Sequence, residues 1–228
     1  MGWGDWIRDG VEVEPSLYAA DFRRLGAQVD ELLAAGCRVF HFDCGDGHFV
    51  PPVTIGPVVL RSIAPGIHAS GGVLDCHLMV DDPVHHFEEF AASGADSVTF
   101  HVEVADDPAA AADAARSRGL AVGVAFNPGT SPSDAAHAAR AAGADIVLCM
   151  SIVPGYSGQA FMPESLDRIR ELRAALPPGV HVQVDGGVGP DNAAEIRQAG
   201  ANLLVAGTSV FGQEDIAGAY RRLAQAIS

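Results

Sequence analysis

His41 and Asp43 lie two residues apart in the apolar stretch RVFHFDCGDGHFV, residues 38–50. Side chains on a strand alternate between faces, so a strand here turns the imidazole and the carboxylate to one side and Phe40, Phe42 and Cys44 to the other. Such a pair is equipped for proton transfer or metal ligation, or serves as a structural hydrogen-bonded pair. Asp75-Cys76-His77-Leu78-Met79 and Val184-Asp185-Gly186-Gly187 carry the same residue types. Two imidazoles and two carboxylates at the ends of three strands form a mixed nitrogen and oxygen donor set. Such a set suits zinc, iron(II), manganese or cobalt better than magnesium or calcium. Cys44 and Cys76 alternate away from the histidines and aspartates and are not assigned as ligands.

These strand ends meet only if the fold gathers them. Eight β-type runs, near residues 11–15, 38–43, 73–79, 97–101, 121–126, 146–150, 181–184 and 203–206, alternate with amphipathic segments near 21–35, 57–63, 83–93, 108–117, 132–142, 163–175, 191–199 and 215–227. Several helical segments open with proline and close in Ala-Gly or Ser-Gly. A Gly-Ala-(Asp/Asn) step at residues 94–96, 143–145 and 200–202 leads directly into a strand. Eight such units predict a single α/β domain, a (β/α)8 TIM barrel over residues 11–228, with residues 1–10 as an N-terminal extension. A doubly wound sheet is disfavoured because no glycine fingerprint follows the first run. In a barrel the active groups collect at the carboxyl ends of the strands.

Composition excludes several chemistries. All 14 basic residues are arginine, so neither Schiff-base aldolase chemistry nor lysine-held pyridoxal phosphate can operate. A formal net charge of −15 with no basic patch argues against nucleic acid. No run of 18 apolar residues predicts a membrane span. The first residues do not read as a secretory leader, which points to a cytoplasmic protein. The four cysteines lack a paired spacing and are expected as reduced thiols. A phosphate would be held by backbone amides, and three glycine loops offer them: Gly155, Tyr156, Ser157 and Gly158 after the sixth strand, Gly186 and Gly187 after the seventh, and Gly207 with Thr208 and Ser209 after the eighth.

The chain resembles the ribulose-phosphate 3-epimerase family from about Val13 to Ala226. The resemblance rests on Pro15-Ser16-Leu17 with Ala20-Asp21-Phe22, His41-Phe42-Asp43 with Asp46-Gly47-His48-Phe49-Val50-Pro51, Asp75-Cys76-His77-Leu78-Met79, Met150-Ser151 with Pro154-Gly155, Val184-Asp185-Gly186-Gly187-Val188, and Val205-Ala206-Gly207-Thr208. It implies metal ligation by His41, Asp43, His77 and Asp185 and acid/base roles for Asp43 and Asp185. Ser16, His77, Met79 and Met150 would face the substrate, with the three glycine loops at its phosphate. The implied reaction is epimerisation at carbon 3 of a ketose phosphate, D-ribulose 5-phosphate to D-xylulose 5-phosphate, through an enediolate. The implied cofactor is one divalent ion, zinc first, with iron(II), manganese or cobalt also acceptable. The implied assembly is a homo-oligomer, a dimer or a hexamer.

Four positions depart from the family pattern: Gly45 stands where methionine is usual, Pro52 and Val153 where asparagine is, and Tyr156-Ser157 where Phe-Gly is. Loss of a bulky side chain at Gly45 suggests a wider pocket and, as the alternative, a paralogue acting on another ketose phosphate such as D-allulose 6-phosphate. A non-catalytic sugar-phosphate binder would not need both Asp43 and Asp185. His101 and Glu103 are expected to line the mouth or orient neighbours, His48 to order its loop, and Trp3 and Trp6 to form an interface element or to be disordered.

Overall fold

The β-branched and aromatic runs form eight parallel strands: β1 (Glu12–Pro15), β2 (Val39–Gly45), β3 (Val73–Met79), β4 (Ser97–His101), β5 (Ala121–Phe126), β6 (Ile146–Met150), β7 (His181–Asp185) and β8 (Leu203–Ala206). This architecture is that of a computed structural model, which describes residues 3–7 and 10–228. From β2 to β8 each strand pairs with its sequence neighbour, and β1 pairs with β8. The ring closes between β1 and β2 through a parallel bridge from Ser16 to His41. This is the expected (β/α)8 barrel. Closure falls on two of the residues singled out for chemistry.

Helices α2 (Leu25–Ala34), α3 (Pro57–Ala69), α4 (Pro83–Ala92), α5 (Pro108–Arg116), α6 (Pro132–Ala142), α7 (Ser165–Ala175), α8 (Ala193–Ala199) and α10 (Ile216–Ile227) surround the sheet, and the short α9 (Thr208–Phe211) follows β8 directly. Proline at the first turn of α3, α4, α5 and α6 sets φ where no intrahelical N–H bond is needed. Side chains of Asp82, Asp107, Ser131 and Asp215 accept bonds from the free amides at the starts of α4, α5, α6 and α10. Gly143 ends α6 at φ 56°, a left-handed value that glycine adopts without a Cβ clash.

The repeated Gly-Ala-(Asp/Asn) step has a structural purpose. Asp96, Asp145 and Asn202 each accept, on a side-chain oxygen, the amide of Leu74, Val122 and Val182 respectively. The backbone amides of the same three residues donate to the carbonyls of those partners. Each acidic or amide side chain thus clamps the preceding strand and fixes the register of β3 with β4, β5 with β6 and β7 with β8. Period two then sorts the side chains. Phe40, Phe42, Leu74, Cys76, Val98, Phe100, Val122 and Val124 face outward into the shell beneath the helices.

Several expected boundaries shift for local reasons. Strand β2 runs two residues past the expected Asp43 and ends at Gly45, followed by an antiparallel bridge from Asp46 to Val53. Helix α2 begins at Leu25, because residues 21–24 form a turn in which Asp21 Oδ1 accepts from Arg23 N and Gln28 Oε1 accepts from Asp21 N. Helix α3 passes Pro65 and reaches Ala69 because Ala64 and Ile67 are buried on its inner face. Helices α7 and α8 start two residues later than expected, at Ser165 and Ala193.

The expected extension over residues 1–10 lies partly outside the described residues. Its helix α1 (Trp3–Trp6) contributes Trp3, only 2% exposed, to a cluster with Val39, Ile146 and Leu203. Trp6, Ile7, Val73 and Ala121 pack against this cluster. Those partners stand at or near the starts of β2, β3, β5, β6 and β8, so α1 plugs the amino-terminal mouth of the barrel. The tryptophans are a structural stopper at the end opposite the strand termini that carry the chemistry.

Candidate active site

Strands β2, β3 and β7 carry His41, Asp43, His77 and Asp185 to the carboxyl end of the barrel. One ligand-type atom from each lies within 4.8 Å of the others. Asp43 Oδ1 is 3.2 Å from His41 Nε2 and 3.0 Å from His77 Nδ1, and His77 Nδ1 is 4.0 Å from Asp185 Oδ2. A tetrahedral zinc site with bonds of about 2.0–2.2 Å has edges of roughly 3.3–3.6 Å. The observed separations bracket that span. His41 Nε2 is buried, points into this cluster and makes no hydrogen bond, as expected of a ligand atom. The residues present therefore fit a divalent cation.

Beneath the cluster is a layer of buried polar side chains that the sequence motifs do not assign. His41 Nδ1 lies 3.0 Å from Asp75 Oδ2, and Asp75 also accepts from Ser97 Oγ at 2.7 Å and Gln183 Nε2 at 2.7 Å. Gln183 Nε2 also donates to Glu14. Donation to Asp75 fixes His41 with its proton on Nδ1 and its lone pair on Nε2. Asp75, Gln183 and Glu14 each stand two residues before a site residue, His77, Asp185 and Ser16. Period two places them on the same inward face one layer down, and that spacing is the signal in the sequence that could have found them.

Charge is unevenly distributed over these groups. Burial alone would raise the Asp43 carboxyl, but His41 and then His77 hold it well below the usual carboxylate range. Burial, and then the charge of Asp43, push Asp185 up to about 7. Burial would lower His41, yet Asp43, Asp75 and Glu14 outweigh it and raise it well above the ordinary imidazole value. Burial pulls His101 down to about 4 and also lowers His77.

Above the cluster opens a pocket of about 550 Å3, partly continuous with solvent. Asp43 and Asp185 form part of its floor, and Ser16, Met79 and Met150 line it from β1, β3 and β6. Gly155, Tyr156, Ser157 and Gly158, then Gly186 and Gly187, then Gly207 and Thr208 complete the wall. Ser16 Oγ donates to Asp43 Oδ2 at 2.6 Å. His41 and His77, wholly buried, sit below rather than in the wall. Val188 and Val205, which fall within two of the motifs, also line the pocket, as do Tyr18 and Ile152, which no motif marks in advance.

The glycines are required where loops press together. Gly186, at φ 120°, leaves no room for a Cβ, which would stand 2.5 Å from Ile152 Cγ1, and at Gly187 one would stand 2.3 Å from Phe161 N. Ser151 Oγ, 2.8 and 2.7 Å from the carbonyl oxygens of Asp185 and Gly186, ties the two loops.

Gly45 requires a correction. A Cβ there would lie 2.8 Å from Val50 Cγ2, 3.0 Å from the Pro52 carbonyl oxygen and 3.2 Å from Thr54 Cγ2. The returning 46–54 loop fills the volume that a larger side chain would take, so Gly45 does not widen the pocket. The case for a larger ketose phosphate loses its physical basis. Loop order comes from Asp46, which accepts from His48 N, Phe49 N and Asp81 N, rather than from the His48 ring.

Eight parallel strands, a buried nitrogen and oxygen donor cluster and two carboxyls beneath one pocket define a (β/α)8 barrel enzyme equipped for metal-assisted proton transfer. The family model described as the ribulose-phosphate 3 epimerase family matches residues 12–211. A ribulose-phosphate 3-epimerase of Escherichia coli K12 is 40% identical over 207 residues, covering 89% of this chain and 90% of the relative. The cytoplasmic isoform of that enzyme from Oryza sativa subsp. japonica is 38% identical, covering 89% and 88%. Among solved structures, KGPDC from Streptococcus mutans superposes with a TM-score of 0.75 at 16% identity, covering 96% of this chain and 98% of that one. A 3-hexulose-6-phosphate synthase gives 0.73 at 21% identity, covering 95% and 100%. At such identities the structures support the fold alone. The chain belongs to the ribulose-phosphate 3-epimerase family and is an isomerase-class enzyme.

Proposed function

We propose that this protein is a divalent-metal-dependent ketose-phosphate 3-epimerase that interconverts D-ribulose 5-phosphate and D-xylulose 5-phosphate. The observation that carries the reading is the pair Asp43 and Asp185, brought to one pocket from β2 and β7 with ionisation held apart. Epimerisation next to a carbonyl removes a proton from one face of carbon 3 and returns one to the other. It needs one ionised and one protonated carboxyl at the outset. Whichever group starts as the base ends as the acid, so each aspartate serves one epimer and the reverse reaction exchanges them.

His41, Asp43, His77 and Asp185 would hold the ion, and zinc is the one their nitrogen and oxygen set fits best, with iron(II), manganese or cobalt acceptable. When bound it supplies Lewis-acid stabilisation of the negative charge that develops on the substrate oxygens. Ser16 holds Asp43 by its 2.6 Å bond and would reach the sugar hydroxyls. Met79 and Met150 give the reacting carbons an apolar, water-poor wall, and His77 would lie beneath them. Backbone amides around Gly155, Tyr156, Ser157, Gly158, Gly186, Gly187 and Gly207, with the Thr208 hydroxyl, would hold the phosphate without any lysine.

Family membership also supports a catalytic barrel spanning residues 11–228 with residues 1–10 as its extension, and a homo-oligomer, dimer or hexamer. Among the described residues no helix is long and apolar enough to cross a membrane, and the rice relative is a cytoplasmic isoform. A cytoplasmic location accords with both. The test is turnover of D-ribulose 5-phosphate by metal-loaded Asp43→Asn and Asp185→Asn. Each should lose at least about 100-fold in kcat, the low end of what a positioned acid or base contributes. Wild-type turnover in either variant would refute the two-carboxyl account.

A further inference from the structure

His77 has partners on both ring nitrogens. Its Nδ1 faces Asp43 and Asp185 in the ligand cluster, while its Nε2 is 2.9 Å from Nε2 of His101, whose ring stacks on it at 5.0 Å. Of two imidazole nitrogens at that distance one must donate and the other accept. The choice is made further away. His101 Nδ1 is 3.1 Å from Glu103 Oε2, and a carboxylate can only accept. With its proton on Nδ1 for Glu103, the wholly buried His101 presents a bare Nε2. His77 Nδ1 lies 3.0 Å from Asp43 Oδ1, a bond it makes only while no ion is bound; once Nδ1 ligates the ion, His77 must donate from Nε2.

Glu103 is itself held rigidly. Its other oxygen accepts from Asn127 N at 2.8 Å and from Thr130 Oγ1. Arg168 grips the same loop through the carbonyls of Asn127, Pro128 and Thr130 at 2.9, 2.8 and 3.1 Å, with its guanidinium 4.8 Å above the Phe126 ring. On its other side His101 meets the Phe49 ring at 4.6 Å. Neither His101 nor Glu103 lines the pocket.

We propose that Glu103 and His101 are positioning residues that lock His77 into its Nε2-protonated tautomer and so present Nδ1 to the divalent ion. The proposal rests on the metal-binding part of the function proposed above. It also gives the two ligand histidines opposite tautomers, His41 protonated on Nδ1 by direct contact with Asp75, and His77 on Nε2 through a relay.

Glu103→Gln tests it with little change of shape. The amide oxygen keeps the bonds from Asn127 and Thr130, and the amide nitrogen then donates toward His101 Nδ1. His101 must move its proton to Nε2, where it meets the Nε2 proton of His77. Nitrogen-15 NMR of the histidine rings in zinc-loaded protein should show His101 protonated on Nδ1 in the wild type and on Nε2 in the variant. Chelator competition should show zinc bound 10–100-fold more weakly by the variant, the usual effect of losing such a partner. The melting temperature of the metal-free protein should stay within a few degrees. Glu103→Asp, which keeps the acceptor, should retain the wild-type tautomer and serves if the glutamine variant does not fold. Wild-type His101 protonated on Nε2 in the zinc-loaded protein, or unchanged zinc affinity in Glu103→Gln, overturns the proposal. Failure of the wild type to bind zinc or cobalt at all would instead sink the metal reading on which the proposal rests.

Discussion

At the scale of single residues, the site consists of polar groups that each answer to a particular neighbour. Glu103 illustrates the energetic consequence. Its burial would raise its pKa, yet bonds from His101, Thr130 and the Asn127 amide outweigh this and hold it at about 2, below the ordinary 4.5. A carboxyl depressed on folding stabilises the folded state above its unfolded pKa and loses that contribution as pH falls through the folded value. Acid unfolding of the wild type should therefore have a component between pH 4.5 and about 2 that is absent in Glu103→Gln, as chemical denaturation across that range would measure. An identical pH dependence in the two proteins would contradict the assigned bonds. The sequence makes His41, Asp43, His77 and Asp185 legible because alternation puts chemically matched side chains at strand ends. It leaves His101 and Glu103 ambiguous, since their importance depends on a ring-to-ring contact between β3 and β4 that only the register sets.

At the scale of elements, the barrel is held in register by the Asp96, Asp145 and Asn202 clamps and stoppered by α1. Asp145→Ala leaves the Val122 amide without its side-chain acceptor. It should cost about 1–3 kcal/mol in denaturant unfolding, the range for an unpaired buried amide. Trp3→Ala removes a ring that fills the closed end of the barrel and should cost about 3 kcal/mol, with turnover of the folded enzyme unchanged. If Trp3→Ala abolished activity at full stability, the reading of α1 as a stopper would fail. Strand positions are legible because β-branched runs and Gly-Ala-(Asp/Asn) steps repeat eight and three times around one ring. Helix ends are less so. The segment expected to end near Ile63 runs on, because burial of Ala64 and Ile67 carries α3 past Pro65, and Asp21 reads as a helix start while its side chain builds a turn.

At the scale of the whole molecule, folding and metal binding are linked, because the ligands come from strands far apart in sequence and converge only in the closed barrel. Adding zinc to the metal-free protein should raise the melting temperature in a concentration-dependent way. The gain approaches about 2.7 kcal/mol at a hundred times Kd, and chelator should reverse it. A midpoint indifferent to zinc would count against the site. The lysine-free composition rules out Schiff-base chemistry, and the carboxyl, imidazole and backbone groups gathered at the site are what proton transfer beside a carbonyl uses. Substrate size was not legible, because the consequence of Gly45 depends on the 46–54 loop folding back over it.

The most direct measurement is proton NMR of the metal-loaded protein with D-ribulose 5-phosphate in deuterated water. The account predicts loss of the carbon 3 proton signal together with the appearance of D-xylulose 5-phosphate deuterated at that carbon. An unexchanged carbon 3 proton and no epimer, with metal demonstrably bound, would contradict it.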